Sequence, residues 1–577
     1  MKTSVLIRYR IRLASMLLGV AVCVMGPGAW GAQQEAEFSE HGMVATRSSW
    51  ASAVGADVLA AGGNAVDAAV AVGFALAVTY PSAGNIGGGG FMVIHLADGT
   101  VVTNDHREKA PGAATRDMYL DEDGNVVKGL STASHLAVGV PGTVAGLIDV
   151  LEKFGTMPLK EVIQPAIDLA EKGIELDRDL ARQFERRLES FSPYPASMAV
   201  FSKAGEAYAV GDLWRQPDLA ATLKRIRKHG KAGFYAGKTA ELIARDMAAN
   251  DGLITVEDLA NYASVWREPV RGTYKGHEIV SMPPPSSGGV LLVQMLNMLE
   301  SLDLAGHGFA SAATIHAMIE AERRAYADRA EYLGDPDFFP VPVARLISKD
   351  YAKERFADFD PSRAGKSSAV KPGQIVLESP DTTHASVMDA QGNAVAYTTT
   401  LNLSYGSKIV ASGTGVLLNN EMDDFSSKEN TPNSFGLIGR VANAIEPGKR
   451  MLSSMTPTIV LQDGKPLLVT GSPGGSTIIT TTLQVILNVI EHEMDIADAV
   501  GAPRFHHQWQ PDRVIYERFA FNADTLRLLE AMGHEQLVQF PFAFGRGIGD
   551  ANSVMRVDGG LRGMADPRGA GTAVGVR

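Results

Sequence analysis

Two threonines at matching places on successive β-type segments are the first sign of chemistry in this sequence. Residues 382–388 and 394–402 have strand composition and enclose a turn. If Gly392 closes a three-residue loop, Thr382 lies directly opposite Thr400, and Thr400 would orient the Thr382 hydroxyl. The alternative is a strand pair stabilised only by β-branched packing, and a one-residue slip would put the two side chains on opposite faces.

Apolar elements elsewhere must position this hairpin. Helical apolar patterns cover 48–59 and 65–78, and the stretch 140–330 is mainly helical in pattern. A further buried helix is predicted after Gly289, and another at 477–490.

Four consecutive glycines, 87–90, precede a predicted strand at 91–95. Glycines allow close approach of backbones and positive φ, and a phosphate-binding loop is one use of such a run. The Lys and Ser/Thr of a phosphate-binding loop are absent, so tight packing is the favoured interpretation.

The first 32 residues have the pattern of a secretory signal. Four basic residues and no acidic ones accompany an apolar run from Leu13 to Met25, followed by small residues up to Ala32. A membrane anchor is the competing interpretation, but the run is shorter than the roughly 20 residues that span a bilayer. We expect a periplasmic or secreted protein without a stable membrane anchor.

Cysteine content and charge exclude several classes of function. The only cysteine, Cys23, lies in the signal segment, so the mature protein would have no disulfide and no thiol chemistry. Loss of four positive charges with the signal moves the formal charge from -12 to -16. Such an acidic protein is not expected to bind nucleic acid or anionic membranes.

At this point the sequence resembles the γ-glutamyltransferase family over nearly the whole mature chain, from about Glu40 onwards. The resemblance depends on a combination of motifs: 104–111 with Arg107 and Glu108, Thr382-Thr383-His384, 418–425, 452–455 and 471–475.

The resemblance implies an α+β fold of the N-terminal-nucleophile hydrolase type, a four-layer αββα sandwich. It also implies self-cleavage between Asp381 and Thr382. The precursor would then consist of a signal at 1–32, a large subunit at 33–381 and a small subunit at 382–577, and the two subunits would form a heterodimer.

An N-terminal threonine suits this chemistry because nucleophile and base lie on one residue. A free α-amino group has a pKa of about 7.7–8.0, so part of it is neutral at neutral pH and accepts the hydroxyl proton of Thr382. Before cleavage this base does not exist, and the uncut chain is expected to be inactive toward substrate.

Acyl transfer also requires donors for the negative charge that develops on the carbonyl oxygen. Gly474 and Gly475 precede the predicted helix 477–490, and their N–H groups would form an oxyanion hole supported by the helix N-terminus. The alternative is an ordinary glycine-rich turn before a helix.

A γ-glutamyl group carries an α-carboxylate and an α-ammonium, so its pocket needs both signs of charge. Arg107 offers a planar fork for the carboxylate, two serines add hydroxyl donors, and two acids with an Asn carbonyl oxygen would receive the ammonium. Taken singly, each residue also fits a surface ion pair or a loop contact. The predicted substrate-binding residues are Arg107, Asn402, Glu421, Asp424, Ser453 and Ser454.

The lid after the acidic motif departs from the family pattern. Many bacterial members carry a tyrosine there, whereas this sequence has Phe435. A phenylalanine has no hydroxyl to hold the lid over the site. The departure therefore bears on lid closure and on the balance between hydrolysis and transfer.

Neither a cofactor nor a metal is expected. His492 and the pair His506-His507 invite a metal site, but none of them has the helical spacing and third ligand of a zinc protease.

The predicted function is transfer of a γ-glutamyl group from glutathione or a related amide, through an ester on Thr382, to water or to an amino acid or peptide. The nearest alternative function is that of a cephalosporin acylase of the same family. Phe435 is compatible with this alternative, whereas the presence of Arg107 and Asp424 argues against it. A rival of a different class is a periplasmic binding protein that never matures.

Overall fold

Two seven-stranded β-sheets occupy the centre of the molecule. The computed structural model describes residues 35–370, 382–428, 434, 441–540 and 547–577, and residues 36–577 belong to one compact unit. The predicted signal segment, the cleavage residue Asp381 and the lid residue Phe435 lie outside the described residues.

The strands are β1 Glu37–Ser39, β2 Gly42–Thr46, β3 Gly89–His95, β4 Val101–Asp105, β5 Ile174–Glu175, β6 Leu213–Trp214, β7 Val265–Arg267, β8 Val270–Tyr274, β9 His277–Ser281, β10 Thr382–Asp389, β11 Ala394–Thr400, β12 Val410–Ala411, β13 Val416–Leu417, β14 Thr458–Gln462, β15 Lys465–Thr470, β16 Phe505–His506, β17 Val514–Tyr516, β18 Leu537–Gln539, β19 Ser553–Val557, β20 Gly560–Met564 and β21 Thr572–Gly575.

The α-helices are α1 Ser49–Ala60, α2 Ala65–Thr79, α3 Thr143–Phe154, α4 Leu159–Val162, α5 Gln164–Lys172, α6 Arg178–Phe191, α7 Pro195–Phe201, α8 Pro217–His229, α9 Ala232–Tyr235, α10 Gly237–Ala249, α11 Val256–Ala260, α12 Gly288–Leu299, α13 Leu304–His307, α14 Ala312–Tyr332, α15 Val343–Leu346, α16 Lys349–Arg355, α17 Thr477–Ile490, α18 Ile496–Gly501 and α19 Ala523–Ala531.

Strands from before and after residue 382 are neighbours in both central sheets. The first sheet has the order β21-β2-β10-β11-β3-β4-β7, and the second has the order β1-β20-β19-β15-β14-β9-β8. All neighbouring strands within these two sheets run antiparallel. The two halves of the chain therefore share main-chain hydrogen bonds across both sheets.

Three apolar interfaces stack the sheets and helices into four layers. Side chains such as Phe91 and Val93 of the first sheet pack against Ile459 and Val469 of the second. Helices α1 and α2 cover the outer face of the first sheet, while α12, α14 and α17 cover that of the second. Because each sheet buries both faces, the result is the predicted αββα sandwich, which the structure confirms.

The hairpin that carries the two threonines has the predicted register. Thr382 pairs with Thr400, and the pairing continues in step to Met388 opposite Ala394. The turn closes as expected, with the Gly392 N–H donating to the Asp389 carbonyl at 3.2 Å and Gly392 at a φ of 92°. A glycine is suited to that left-handed conformation.

The predicted helices form, with one exception in extent. Helices α1 and α2 lie within a residue or two of the predicted bounds, and α2 is buried along its whole length. Asn64 caps α2, and the Asp67 side chain returns to the Asn64 N–H in a capping box. The prediction that 140–330 is mainly helical missed the five strands β5 to β9, which have only two to five residues each and show little alternation.

The glycine run before β3 is used for packing. A Cβ atom at Gly87 would overlap the carbonyl oxygen of Leu417, and one at Gly88 would overlap that of Thr400. The absence of side chains lets this loop lie directly against the chain that carries the threonine pair. The packing interpretation is therefore supported.

Among the described residues, no helix is both long enough and apolar enough to cross a membrane.

Candidate active site

The Thr382 and Thr400 hydroxyl groups lie next to each other at the end of the central hairpin. The Thr382 hydroxyl donates to Thr400 Oγ1 at 3.3 Å, and the same oxygen accepts the main-chain N–H of Asn402 at 2.8 Å. Both threonines are almost fully buried. Alternation along β10 places Thr382 on the same face as Ser386, whose hydroxyl lies 3.1 Å from the carbonyl oxygen of Val469 on β15 of the second sheet. The pair therefore lies between the two sheets.

A pocket of about 290 Å³ opens over this pair. It brings together eight of the predicted functional residues with three residues that were not predicted, as well as Thr382 itself. The lining residues are Arg107, Arg329, Thr382, Thr400, Asn402, Glu421, Asp424, Ser453, Ser454, Met455, Gly475 and Ile478.

Arg107 is a buried cation surrounded by acids. Its guanidinium makes ion pairs with Glu421 and Asp424, and Nη1 lies 3.7 Å from Glu108 Oε2. Its main-chain carbonyl accepts the Tyr262 hydroxyl at 2.7 Å. Arg107 lies two residues after β4, and this hydrogen bond fixes the backbone from which its side chain extends.

The sequence predicts that Arg107 binds the substrate carboxylate and that the acids bind the substrate ammonium, at two separate places. In the structure they contact each other directly. A buried guanidinium requires carboxylate partners, because an unpaired charge in the interior is strongly unfavourable. The two acids hold the guanidinium at the pocket wall.

Burial shifts the acids of this cluster toward their neutral forms. Desolvation raises the pKa of Glu108 to about 7 and that of Asp424 to about 6, although Arg107 opposes both shifts. Burial also raises the pKa of Glu421, again against the effect of Arg107. For Arg107, burial lowers the pKa, but the three acids outweigh it and the net shift is upward. The guanidinium is therefore always charged, while Glu108 and Asp424 titrate closer to neutral pH than ordinary acids.

Asn402 presents an acceptor to the pocket. Its Nδ2 donates to the Asn420 carbonyl at 2.9 Å, which orients the amide. Within the described part of the chain, the buried Oδ1 has no hydrogen-bond partner. A buried amide oxygen without a partner favours a ligand donor at that place.

The two serines lie on the same wall. Ser453 Oγ accepts the Met455 N–H at 3.1 Å, and Ser454 Oγ accepts from Arg329 Nη2 at 3.1 Å. Since each hydroxyl accepts in these contacts, its hydrogen remains suited to donate to an anionic group.

Gly475 reaches the pocket, and Gly474 lies directly before it. Both have positive φ, 137° for Gly474 and 55° for Gly475. Neither N–H has an acceptor among the described residues. The first residue of the following helix fixes the loop, because the Gly474 carbonyl accepts the N–H and the hydroxyl of Thr477 at 3.0 and 2.8 Å. Helix α17 starts at Thr477, as predicted, so its N-terminus points toward this loop.

The same loop is supported by further residues for which the sequence predicted no role here. Ser476 donates to Gln508 Oε1 at 2.7 Å and lies 3.2 Å from His506 Nε2. The Tyr326 hydroxyl bonds the Ser476 carbonyl. These residues are distant from Ser476 in sequence, and no motif connects them with it.

Arg329 is a pocket residue that sequence reasoning also missed. It lies on α14 and donates from Nε to Ser287 Oγ at 2.9 Å. The helix carries two further arginines, Arg323 and Arg324, and nothing in the sequence distinguishes the one that faces the pocket. Met455 and Ile478 supply apolar wall, and the sequence predicted no pocket role for either, although Met455 ends the motif 452–455.

Two of the three histidines flagged in the sequence have polar partners in the protein, while His492 lies edge-on to the Phe309 ring. His506 Nδ1 lies 2.8 Å from Thr480 Oγ1, and His507 Nε2 lies 3.2 Å from Asp512 Oδ1.

In the described residues a different group, His316 with Glu320 and His534, has the compactness of a metal site. Its atoms are already paired, since His316 Nδ1 and His534 Nε2 are 2.9 Å apart and Glu320 binds Arg323 and Arg324. Two adjacent guanidinium groups do not favour a cation at this place.

Comparison with known proteins agrees with this geometry. The family model described as Gamma-glutamyltranspeptidase matches residues 51–576. The chain is 49% identical over 570 residues to the glutathione hydrolase proenzyme of Escherichia coli strain K12, which covers 97% of each chain.

Solved structures show the same similarity. The cephalosporin acylase of Bacillus halodurans superimposes with a TM-score of 0.83 at 27% identity, covering 96% of this chain and 99% of that one. The Helicobacter pylori gamma-glutamyltranspeptidase superimposes with a TM-score of 0.56 at 52% identity, covering 56% of this chain and 93% of that one. The chain therefore belongs to the gamma-glutamyltranspeptidase family of enzymes.

Proposed function

We propose that this enzyme is made as a precursor, cuts itself before Thr382, and then hydrolyses glutathione and related γ-glutamyl amides or passes the γ-glutamyl group to amino acids and peptides. The observation that carries the proposal is the Thr382 hydroxyl, 3.3 Å from Thr400 Oγ1, in one pocket with the buried Arg107 and its acids.

Self-cleavage would start from the same hydroxyl. Thr382 Oγ1 attacks the carbonyl carbon of Asp381, the C–N bond breaks, and the nitrogen takes up the hydroxyl proton to become the new α-amino group. Water then opens the ester, so that Asp381 ends in a carboxylate and the Thr382 hydroxyl is restored. Because Thr400 Oγ1 is already held by the Asn402 N–H, the acceptor that orients the hydroxyl is present before the cut.

The pocket charges suit a γ-glutamyl group. An α-carboxylate would bind the Arg107 fork and the hydroxyls of Ser453 and Ser454, and an α-ammonium would bind Asp424, Glu421 and the unpaired Oδ1 of Asn402. When two or more of the three acids around the Arg107 guanidinium are ionised, the cluster has a net negative charge. An incoming ammonium would offset that charge.

In turnover, the free Thr382 amine accepts the hydroxyl proton while Oγ1 attacks the γ-carbonyl. The N–H groups of Gly474 and Gly475 would receive the oxyanion, the amide C–N bond breaks, and the leaving amine takes the proton. Water or an acceptor amine then attacks the ester and regenerates Thr382. Loss of one such oxyanion donor typically costs about 10²–10³ in rate.

After cleavage, residues 33–381 and 382–577 would stay together as large and small subunits. The support is the sheet order, in which β10 lies between β2 and β11, and β14 lies beside β9. With the signal pattern of residues 1–32, this describes an exported heterodimer that acts on small molecules.

The test is intact mass and N-terminal sequencing of the exported protein, beside Thr382→Ala. A new N-terminus at Thr382 and glutathione-dependent release of glutamate, both absent from the variant, are expected. A chain that stays uncut would contradict the proposal and favour a non-maturing binding protein.

An acylase is the second candidate, and the fold similarity to the cephalosporin acylase of Bacillus halodurans favours it. A glutaryl amide has no α-ammonium, so it brings no positive group to Asp424 and to Asn402 Oδ1. Competition between glutathione and a glutaryl amide separates the two functions. Preference for the glutaryl amide would support the acylase.

A further inference from the structure

A buried tryptophan holds the last described residues before the proposed cleavage site. The Trp509 side chain is 3% exposed, and its indole N–H lies 3.0 Å from the carbonyl oxygen of Ser367 and 2.7 Å from that of Val370. The Ala369 N–H also returns to the Lys366 carbonyl at 2.9 Å. A turn of the chain is therefore clamped by one side chain.

Polar side chains hold the same segment from other directions. Asp512 Oδ2 accepts the Ser367 N–H at 2.7 Å, and Arg323 Nη1 bonds both the Ser367 hydroxyl and Asp512. Glu320 Oε1 accepts the Gly365 N–H at 3.0 Å. We call Glu320, Arg323, Trp509 and Asp512 the upstream anchor.

The other end of the connection is held as well. Thr382 is the first residue of β10, paired with Thr400 on β11 in the middle of the first sheet. Eleven residues, 371–381, join the anchored segment to this strand. The anchor and the strand fix where the two ends of the connection lie, whatever path it takes.

We propose that the upstream anchor is a positioning device for self-cleavage, with Trp509 as its central residue. This inference depends on the proposed function, since it concerns the Asp381–Thr382 bond. No anchor residue lines the pocket over Thr382, so the anchor acts on the precursor through residues 365–370 and not on bound substrate. Its loss would lengthen the connection between held points from 11 to 17 residues, because the Met532 carbonyl still accepts the Ala364 N–H.

The experiment compares Trp509→Phe with a matched control, Trp214→Phe. Trp214 is also buried and donates its indole N–H to a main-chain oxygen, that of Val200 at 2.8 Å, but it belongs to a separate aromatic cluster. Freshly translated full-length precursor is followed by gel and mass spectrometry for the half-time of cleavage at Thr382.

We expect Trp509→Phe to slow cleavage about 1.4-fold relative to Trp214→Phe. It releases Val370 while Asp512 still holds Ser367, and loop-closure entropy assigns about this factor to a connection that lengthens from 11 to 14 residues. Once fully cleaved, the variant should have the wild-type kcat and KM for glutathione. A merely structural defect would affect both tryptophan variants alike and would appear in their thermal midpoints.

A second variant keeps the test decisive if Trp509→Phe does not fold. Asp512→Ala removes the acceptor of the Ser367 N–H at a side chain that is 39% exposed, and it should slow cleavage in the same way. Equal half-times in all variants, or a parallel fall in kcat of the cleaved protein, would overturn the proposed role of the upstream anchor and would leave the proposed function standing. A wild-type chain that stays uncut would overturn the proposed function together with it.

Discussion

Thr400 Oγ1 receives two hydrogen bonds, from the Asn402 main-chain N–H at 2.8 Å and from the Thr382 hydroxyl at 3.3 Å. Asn402 reaches this position with a φ of 74°, so the chain turns back immediately after β11 to place its N–H on the threonine oxygen. The acceptor for the nucleophile is thereby held by the backbone.

Thr400→Val should slow both self-cleavage and glutathione turnover, because valine keeps the shape and removes the acceptor of the Thr382 hydroxyl. Loss of a buried hydrogen bond costs about 1–3 kcal/mol, which corresponds to about 5- to 160-fold in kcat. Thr400→Ser retains the oxygen and should keep most of the activity. Wild-type kcat in the valine variant would exclude an orienting role.

Arg107→Lys should raise KM for glutathione by about 10- to 100-fold, since lysine offers a point charge in place of a fork and loses about 1.5–3 kcal/mol of charge-assisted bonding. Arg267→Lys is the matched control, because Arg267 is also mostly buried and pairs with Asp105 outside the pocket. Similar KM values for the two variants would argue against Arg107 as the carboxylate ligand.

Stability should fall as pH rises through the range set by Glu108. Its pKa is about 7 in the folded protein, against about 4.5 ordinarily, chiefly because of burial. The folded state therefore binds more protons than the unfolded state between these values, and its stabilisation is present below about pH 4.5 and lost as pH approaches 7. Thermal midpoints between pH 5 and 8 should decline less steeply in Glu108→Gln. The exposed change Glu161→Gln should leave the slope unaltered.

Gly474→Ala should lower kcat at least 10-fold. An alanine Cβ would overlap Thr477 Oγ1, and a φ of 137° is strained for alanine, so the loop that carries the proposed oxyanion donors must shift. Gly464→Ala is the control, since Gly464 has a φ of 72° with nothing near its Cβ position. Both variants should lose about 1 kcal/mol of stability from the left-handed backbone. A normal kcat in Gly474→Ala would place the oxyanion donors elsewhere.

Local features were predictable because neighbouring residues determine them. The register that places Thr382 opposite Thr400 follows from the composition of two strands and the turn at Gly392, and helix α17 begins where the glycines end. The motifs also predicted the αββα layers, through the resemblance, and most of the pocket lining.

The tertiary structure alone decided which charges meet. Arg107 and Asp424 are more than 300 residues apart, and only the folded chain shows that they pair directly. Arg329 enters the pocket instead of Arg323 because of the rotation of a helix that is buried on nearly every side. Hairpin register and helix ends depend on short-range sterics and hydrogen bonding, which a sequence displays. Contacts between distant segments depend on how whole layers pack, and no local pattern encodes that.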